Sequence, residues 1–242
     1  MIVSALASLC STAAVAQWSG HSTASLGRGY GNIALSQSIL SGTRRLGAGP
    51  LLRSGAPRLA SLTPAQIDAA LTYTADPGQT DRIRAVMIDT IGGQDPAKRA
   101  QAEKAFADDV VLKEFERAVS EEGYSSHNVA DDMAALLVVC WEIFNDREAS
   151  KPQIRGAHQQ VRGIFLGNPA LRAMTNAERQ DMAERIAYQV VMSFAAKEAA
   201  VRSGDPARLA QMRQSTAAML LQQLDIDISR QRLTESGFHR KS

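Results

Sequence analysis

The chain has few aromatic residues. They make up 5% of its 242 residues, whereas apolar residues as a whole make up 45%. The apolar share therefore comes mainly from Ala, Leu, Val, Ile and Met, which favour helices over strands. Sustained strand-type alternation is also missing, with residues 32–40 as the one weak candidate. This composition predicts an all-α fold with a substantial core.

Cysteine is scarce too, with Cys10 and Cys140 as the two examples. Cys10 falls in a predicted leader described below, so a processed chain would keep Cys140 alone and could form no intramolecular disulfide. Cys140 lies in the most apolar stretch of the chain, where we expect a small buried thiol rather than a nucleophile.

The four histidines, His21, His127, His158 and His239, do not form a metal-binding pattern. No two are four residues apart, as in zinc-binding helices, and no Glu-x-x-His pair of the di-iron type occurs. We interpret His127 as a helix-start residue and His158 as a surface or packing residue. No serine lies in a G-x-S-x-G turn. We therefore expect no metal and no cofactor, and the sequence assigns no catalytic residue.

Acidic residues are absent before Asp68, although that region holds Arg28, Arg44, Arg45, Arg53 and Arg58. The first 60 residues thus carry a charge of +5, and the rest of the chain, with 22 basic and 25 acidic residues, carries −3. The chain joins two physically different segments. Because the total is only +2 and basic residues do not alternate with aromatics, nucleic acid is not expected as a partner.

Residues 1–16 are predicted to be a signal peptide. Positions 2–16, IVSALASLCSTAAVA, form an uncharged apolar run that ends in small residues, which fits cleavage after Ala16. This predicts a periplasmic or secreted protein with no transmembrane anchor after cleavage, since no other segment approaches 18 uninterrupted apolar residues. The alternative is an organellar transit peptide, since the region is rich in Ser and Arg and lacks acids.

Residues 17–61 are predicted to be a flexible linker. Positions 18–61 contain eight glycines and eight serines, with scattered arginine and no acid. Such a segment buries too little apolar surface to offset its chain entropy, so we expect disorder. The arm could contact anionic lipid or a cell-wall polymer, but a solvated spacer is the simpler interpretation.

Residues 62–238 are predicted to be an irregular bundle of about seven helices, followed by a tail at 239–242. Each helix has a recognisable start, with an N-cap residue, a proline in the first turn, or both. The sixth has a capping box, Thr175 with Glu178. The starts are Thr63-Pro64, Thr80, Asp95-Pro96, Asn128, Pro152, Thr175 and Asp205-Pro206. The third helix is expected to run unbroken to Gly123, and the segment 233–238 to dock.

Residues 133–144, MAALLVVCWEIF, are apolar nearly all round and should form the central core helix. A polar face on this helix is the candidate ligand site, and it comprises Asn128, Asp131, Trp141, Glu142 and Asn145. The favoured alternative is that Glu142 pairs with Arg155 or Arg185 as a structural group. Asp131 and Glu142 are about 16 Å apart along a helix, too far to form a glycosidase pair.

Several stretches together resemble a known family. They are GYSSHNVADDMAALLVVCWEIFND at 123–146, NAERQDMAERIAYQVVMSFAA at 176–196, GDPARLAQMRQ at 204–214 and LTESGF at 233–238. Their order is similar to that in a family of exported proteobacterial proteins classed as a domain of unknown function. The resemblance covers about residues 115–238 and implies a leader, a variable linker and a helical domain, but no activity.

These observations favour a binding or interaction module of the cell envelope, with an unidentified protein or envelope component as its partner. The alternative is a small envelope-acting hydrolase that uses Glu142 or Asp131 as its acid. Such an enzyme would need a water-accessible acid that no arginine neutralises. Homo-oligomerisation is a third possibility.

Overall fold

The computed structural model describes residues 63–241, so the predicted leader (1–16) and linker (17–61) lie outside the described residues. The described part contains nine α-helices and one short β-hairpin. The helices are α1 Pro64–Leu71, α2 Pro77–Gly92, α3 Pro96–Ala105, α4 Val110–Glu121, α5 Val129–Asn145, α6 Lys151–Gly167, α7 Pro169–Arg172, α8 Asn176–Ser203 and α9 Pro206–Leu224. The predicted all-α class is confirmed.

Most helix starts follow the local signals in the sequence, but α2 begins at Pro77 with Asp76 as its N-cap and not at the predicted Thr80. The predicted capping box at α8 is present, because the Thr175 side chain accepts from the Glu178 backbone N–H while Glu178 accepts from the Thr175 backbone. Ser150 and Gln153 form a second such box at α6. These bonds satisfy N–H groups that have no partner inside the helix, and they need only residues three apart in the chain.

Helix α5 is the centre of the core. Every residue from Val129 to Ile143 is buried, because α6, α8 and α9 pack around this helix. Leu137 is 1% exposed and Cys140 is fully buried. Burial raises the pKa of the Cys140 thiol to about 12, so the thiol is protonated at neutral pH. The prediction of a core helix at 133–144 is therefore confirmed.

The third predicted helix is broken in the structure. Helices α3 and α4 are separated by a 3₁₀ turn, Ala107–Asp109, in which Asp108 and Asp109 both have φ near 55°. The side chain of Asp109 forms an ion pair with Arg84 of α2, which fixes the turn against that helix. Left-handed backbone interrupts the helical hydrogen bonds, so α3 and α4 are separate helices. The short helix α7 is a further element that the pattern did not predict.

The C-terminal segment forms a β-hairpin, which the sequence pattern did not indicate. Strands β1, Gln231–Thr234, and β2, Gly237–Arg240, pair antiparallel with Leu233 opposite Phe238. The segment 233–238 does dock, but the ordered unit continues through part of the predicted tail at 239–242. Four-residue strands are too short to show a convincing alternation, which explains the omission.

Two glutamines of α6 form hydrogen bonds to this hairpin, and a glycine of α6 leaves room for its turn. The Gln160 side-chain amide donates to the Phe238 carbonyl at 2.9 Å and accepts from the Phe238 N–H at 2.7 Å. Gln153 donates to the Leu233 carbonyl at 2.7 Å. Gly156 lies directly under the hairpin turn, where a side chain would collide with backbone atoms of Glu235 and Gly237. The glutamines thus satisfy outward-facing strand groups that would otherwise be unpaired.

Candidate functional site

The first half of the candidate polar face lies at the start of α5. Asn128 is the N-cap, and its side chain accepts from the backbone N–H groups of Ala130 and Asp131. Asp131 is completely buried and bonds two residues of α6. Arg162 donates to both of its carboxylate oxygens, at 2.7 and 2.6 Å, and His158 Nδ1 lies 3.1 Å from Oδ1. Asp131 therefore connects α5 to α6.

The charges at this connection are balanced. Burial alone would raise the pKa of Asp131, but the hydrogen bonds from His158 and Arg162, with the charge of Arg162, outweigh burial and lower it. Burial also lowers the pKa of His158, which Asp131 opposes only in part. An ionised carboxylate can only accept, so the neutral imidazole carries its proton on Nδ1. The result is an ionised Asp131 neutralised by Arg162, beside an uncharged His158.

The ring of Tyr124 completes this group of residues. It stacks on His158 with the ring centroids 3.5 Å apart and an interplanar angle of 8°. The Nε2 atom of His158 is buried and has no hydrogen-bond partner within residues 63–241. An Asp–His pair with a free second nitrogen occurs in catalytic bases, but such a base must reach a substrate. His158 is only 2% exposed, so it does not meet that requirement.

The second half of the face lies at the other end of α5 and has separate contacts. Glu142 is completely buried, and its Oε1 accepts the backbone N–H of Ala149 at 2.8 Å. The sequence suggested Arg155 or Arg185 as the partner of Glu142. In the structure, Glu142 bonds the backbone amide of Ala149 in the loop after α5 instead. Asn145 donates to the Trp141 carbonyl one turn back at 2.8 Å. Burial raises the pKa of Glu142 to about 7.

The five candidate residues therefore form two structural clusters rather than one site. Asn128 and Asp131 fix the start of α5, and Trp141, Glu142 and Asn145 fix its end. About 16 Å of helix separates Asp131 from Glu142, as the sequence predicted. Trp141 is 5% exposed, so its ring packs in the core. We conclude that each cluster connects α5 to a neighbouring segment.

Sequence reasoning missed several polar residues of the interior. Asp132 is fully buried, neither carboxylate oxygen has a partner in the described part of the chain, and burial raises its pKa well above the ordinary value. Glu184 accepts from Thr80 and Gln180, and burial raises its pKa as well. The partners His158 and Arg162 were also missed. Their one available signal was their i, i+4 spacing on α6, which is common.

No group of three or more His, Cys, Asp or Glu side chains able to hold a metal occurs among residues 63–241. Over the same residues, none of the helices combines the length and apolarity needed to cross a bilayer.

The fold and these clusters define the class of protein: a helical bundle centred on one buried helix, with a C-terminal hairpin docked on its surface. The chain belongs to the family of unknown function DUF6683, whose profile matches residues 1–241. The expected membership in a family classed as a domain of unknown function is confirmed, and the match extends well beyond residues 115–238. No curated protein and no solved structure matches the chain.

Proposed function

We propose that this protein is an exported binding or interaction module of the cell envelope. One observation carries the preference for binding over catalysis: the two candidate acids of the central helix, Asp131 and Glu142, are both completely buried and engaged in structural bonds. Asp131 is neutralised by Arg162, and Glu142 bonds the backbone of Ala149. A hydrolase acid must exchange protons with water and substrate, so neither residue has the required setting.

Export is supported by the sequence of residues 1–16, an apolar run with small residues before Gln17. The acid-free segment at 17–61 would then separate the helical body from the processed end. A helical body whose buried acids are held by structural bonds is suited to presenting a constant surface to a partner.

Cell fractionation with N-terminal sequencing tests the proposal. The protein should appear in the periplasmic or culture fraction with Gln17 as its first residue. An Ala14→Arg, Ala16→Arg variant should stay unprocessed, since a large side chain does not fit the cleavage pocket. Recovery of the native protein from the cytoplasm with its first residues intact would refute export.

The binding role is tested by washing isolated envelopes with increasing salt. Native protein should sediment with the envelope at low salt, and the washes should release it if charged contacts hold it there. Complete recovery in the soluble fraction at every salt concentration would refute an envelope-binding role.

A further inference from the structure

The turn between α3 and α4 has a backbone conformation that its sequence does not favour. Residues 97–121 contain no glycine or proline and are rich in Ala, Lys and Glu, which favour one continuous helix. At the turn, however, Asp108 and Asp109 both have φ near 55°. Residues with a Cβ atom are disfavoured there, and they adopt this conformation singly rather than in succession. Among the described residues, no side chain caps the start of α4. The turn is therefore held by tertiary contacts rather than by its local sequence.

The turn divides the described chain into two parts that are joined through residues 107–109. We call residues 63–106, which contain α1, α2 and α3, the N-terminal unit. Within this unit α3 packs on α2. Arg99 pairs with Asp89 at 2.6 Å, and a Cβ atom built at Gly92 would lie 2.8 Å from the Arg99 Cα. The two helices would therefore move together if the turn changed its conformation.

Side-chain amides of α8 bind the backbone of the N-terminal unit. The Asn176 amide accepts from the Thr74 N–H and donates to the Thr74 carbonyl, both at 2.8 Å. Gln180 forms the same two bonds with the backbone of Asp76, at 3.0 and 2.9 Å. Each bond joins the unit to a partner that lies beyond the turn in the chain. A second copy of the chain can therefore supply the same partners in the same geometry.

The contacts themselves decide what can replace the unit. Phe106 is 2% exposed and packs edge-on against Tyr188 of α8, with the ring centroids 5.0 Å apart. Opening of the turn within one molecule would expose this ring and free the backbone groups that the α8 amides bind. Exchange between two molecules covers both again with an identical surface. The ion pair of Arg84 with Asp109 lies at the turn itself and favours the unexchanged chain.

We propose that two copies of this chain exchange their N-terminal units and form a symmetric dimer. In the exchanged form Asp108 and Asp109 have helical backbone, and residues 96–121 form one helix about 39 Å long. Release of the left-handed backbone favours the dimer, whereas the lost freedom of two separate molecules opposes it. The dimer should therefore form at high protein concentration. This inference does not depend on the proposed function.

Two turn variants with opposite backbone preferences test the exchange. Asp108→Gly with Asp109→Gly suits left-handed backbone and weakens a helix, so it should keep the chain monomeric. Asp108→Ala with Asp109→Ala has the reverse preferences. Both variants lose the same charges and the same ion pair with Arg84, so each is the control for the other. After refolding from urea at high protein concentration, light scattering should show the alanine variant dimerising about tenfold or more tightly than the glycine variant, with the native protein between them.

A cross-link identifies the contact that joins the two copies. Thr74→Cys and Asn176→Cys place thiols at exposed positions on either side of one contact, and each is made in a separate chain with the native turn. The two chains are refolded together and treated with a short thiol cross-linker. Mass spectrometry should then find the peptides around positions 74 and 176 joined between chains. The same mixture with glycine at both turn positions should stay unlinked.

A native protein that stays monomeric at every concentration, together with its alanine variant, would overturn the inference. Equal dimerisation of the alanine and glycine variants would do the same, because the turn would then have no part in it. A dimer in which positions 74 and 176 stay unlinked would place the contact on another surface. If the alanine variant does not fold, the comparison of the native and glycine proteins decides by the same outcomes. None of these results bears on export, which fractionation measures separately.

Discussion

Gly156 should be required for docking of the C-terminal hairpin. A Cβ atom built at this position lies 2.6 Å from the carbonyl carbon of Glu235 and 2.6 Å from the nitrogen of Gly237. Both are backbone atoms of the turn, so Gly156→Ala cannot be accommodated by rotating a side chain. Either the hairpin moves outward or α6 shifts.

Two effects of opposite sign set the magnitude. In a helix, Ala is favoured over Gly by about 1 kcal/mol, so without the collision the substitution would stabilise the protein. Overpacking typically costs about 1–3 kcal/mol. If the hairpin detaches, the burial of Leu233 and Phe238 is lost as well, at roughly 1.5–3 kcal/mol each before the released chain entropy is counted. We expect a net destabilisation of about 1–3 kcal/mol.

Urea denaturation and amide hydrogen exchange check this prediction. The Phe238 N–H, which donates to Gln160, should lose its protection in Gly156→Ala. Gln159→Ala, at an exposed position of the same helix, is the matched control and should keep that protection. A variant about 1 kcal/mol more stable than the native protein, with the Phe238 amide still protected, would refute the close packing of the hairpin on α6.

Two further predictions concern the buried acids of α5. Burial holds the pKa of Glu142 at about 7 in the folded state against 4.5 ordinarily, so the folded protein keeps a proton that the unfolded chain releases between those values. The free energy of unfolding should therefore fall by roughly 2–4 kcal/mol as pH rises from about 4.5 to 7. Urea melts should show this slope, and Glu142→Gln should make it shallower, with the buried Asp132 and Glu184 contributing the remainder; an equal slope in both proteins would contradict the assignment. Asp131→Asn should destabilise the fold by about 1–3 kcal/mol, because it removes the negative charge of the carboxylate to which Arg162 and His158 both bond. An unchanged urea midpoint would show that this connection between α5 and α6 is dispensable.

Local features of the fold could be predicted from the sequence because their causes are local. The capping box of Thr175 and Glu178 joins residues three apart, and Asn128 caps residues two and three positions away. The central position of α5 was also predictable, since a helix that is apolar on all sides must be surrounded by others. The separation of Asp131 from Glu142 follows from helix geometry alone.

The long-range contacts were decided only by the tertiary structure. Asp131 and its partner His158 are 27 positions apart, and no spacing rule links them. The hairpin depends on Gly156 and Gln160, which lie more than 70 positions before Phe238. At the break formed by Asp108 and Asp109, the side chain of Asp109 likewise pairs with Arg84 from another helix. Sequence patterns report what a residue's near neighbours favour, whereas these features depend on which distant segments the packed core brings into contact.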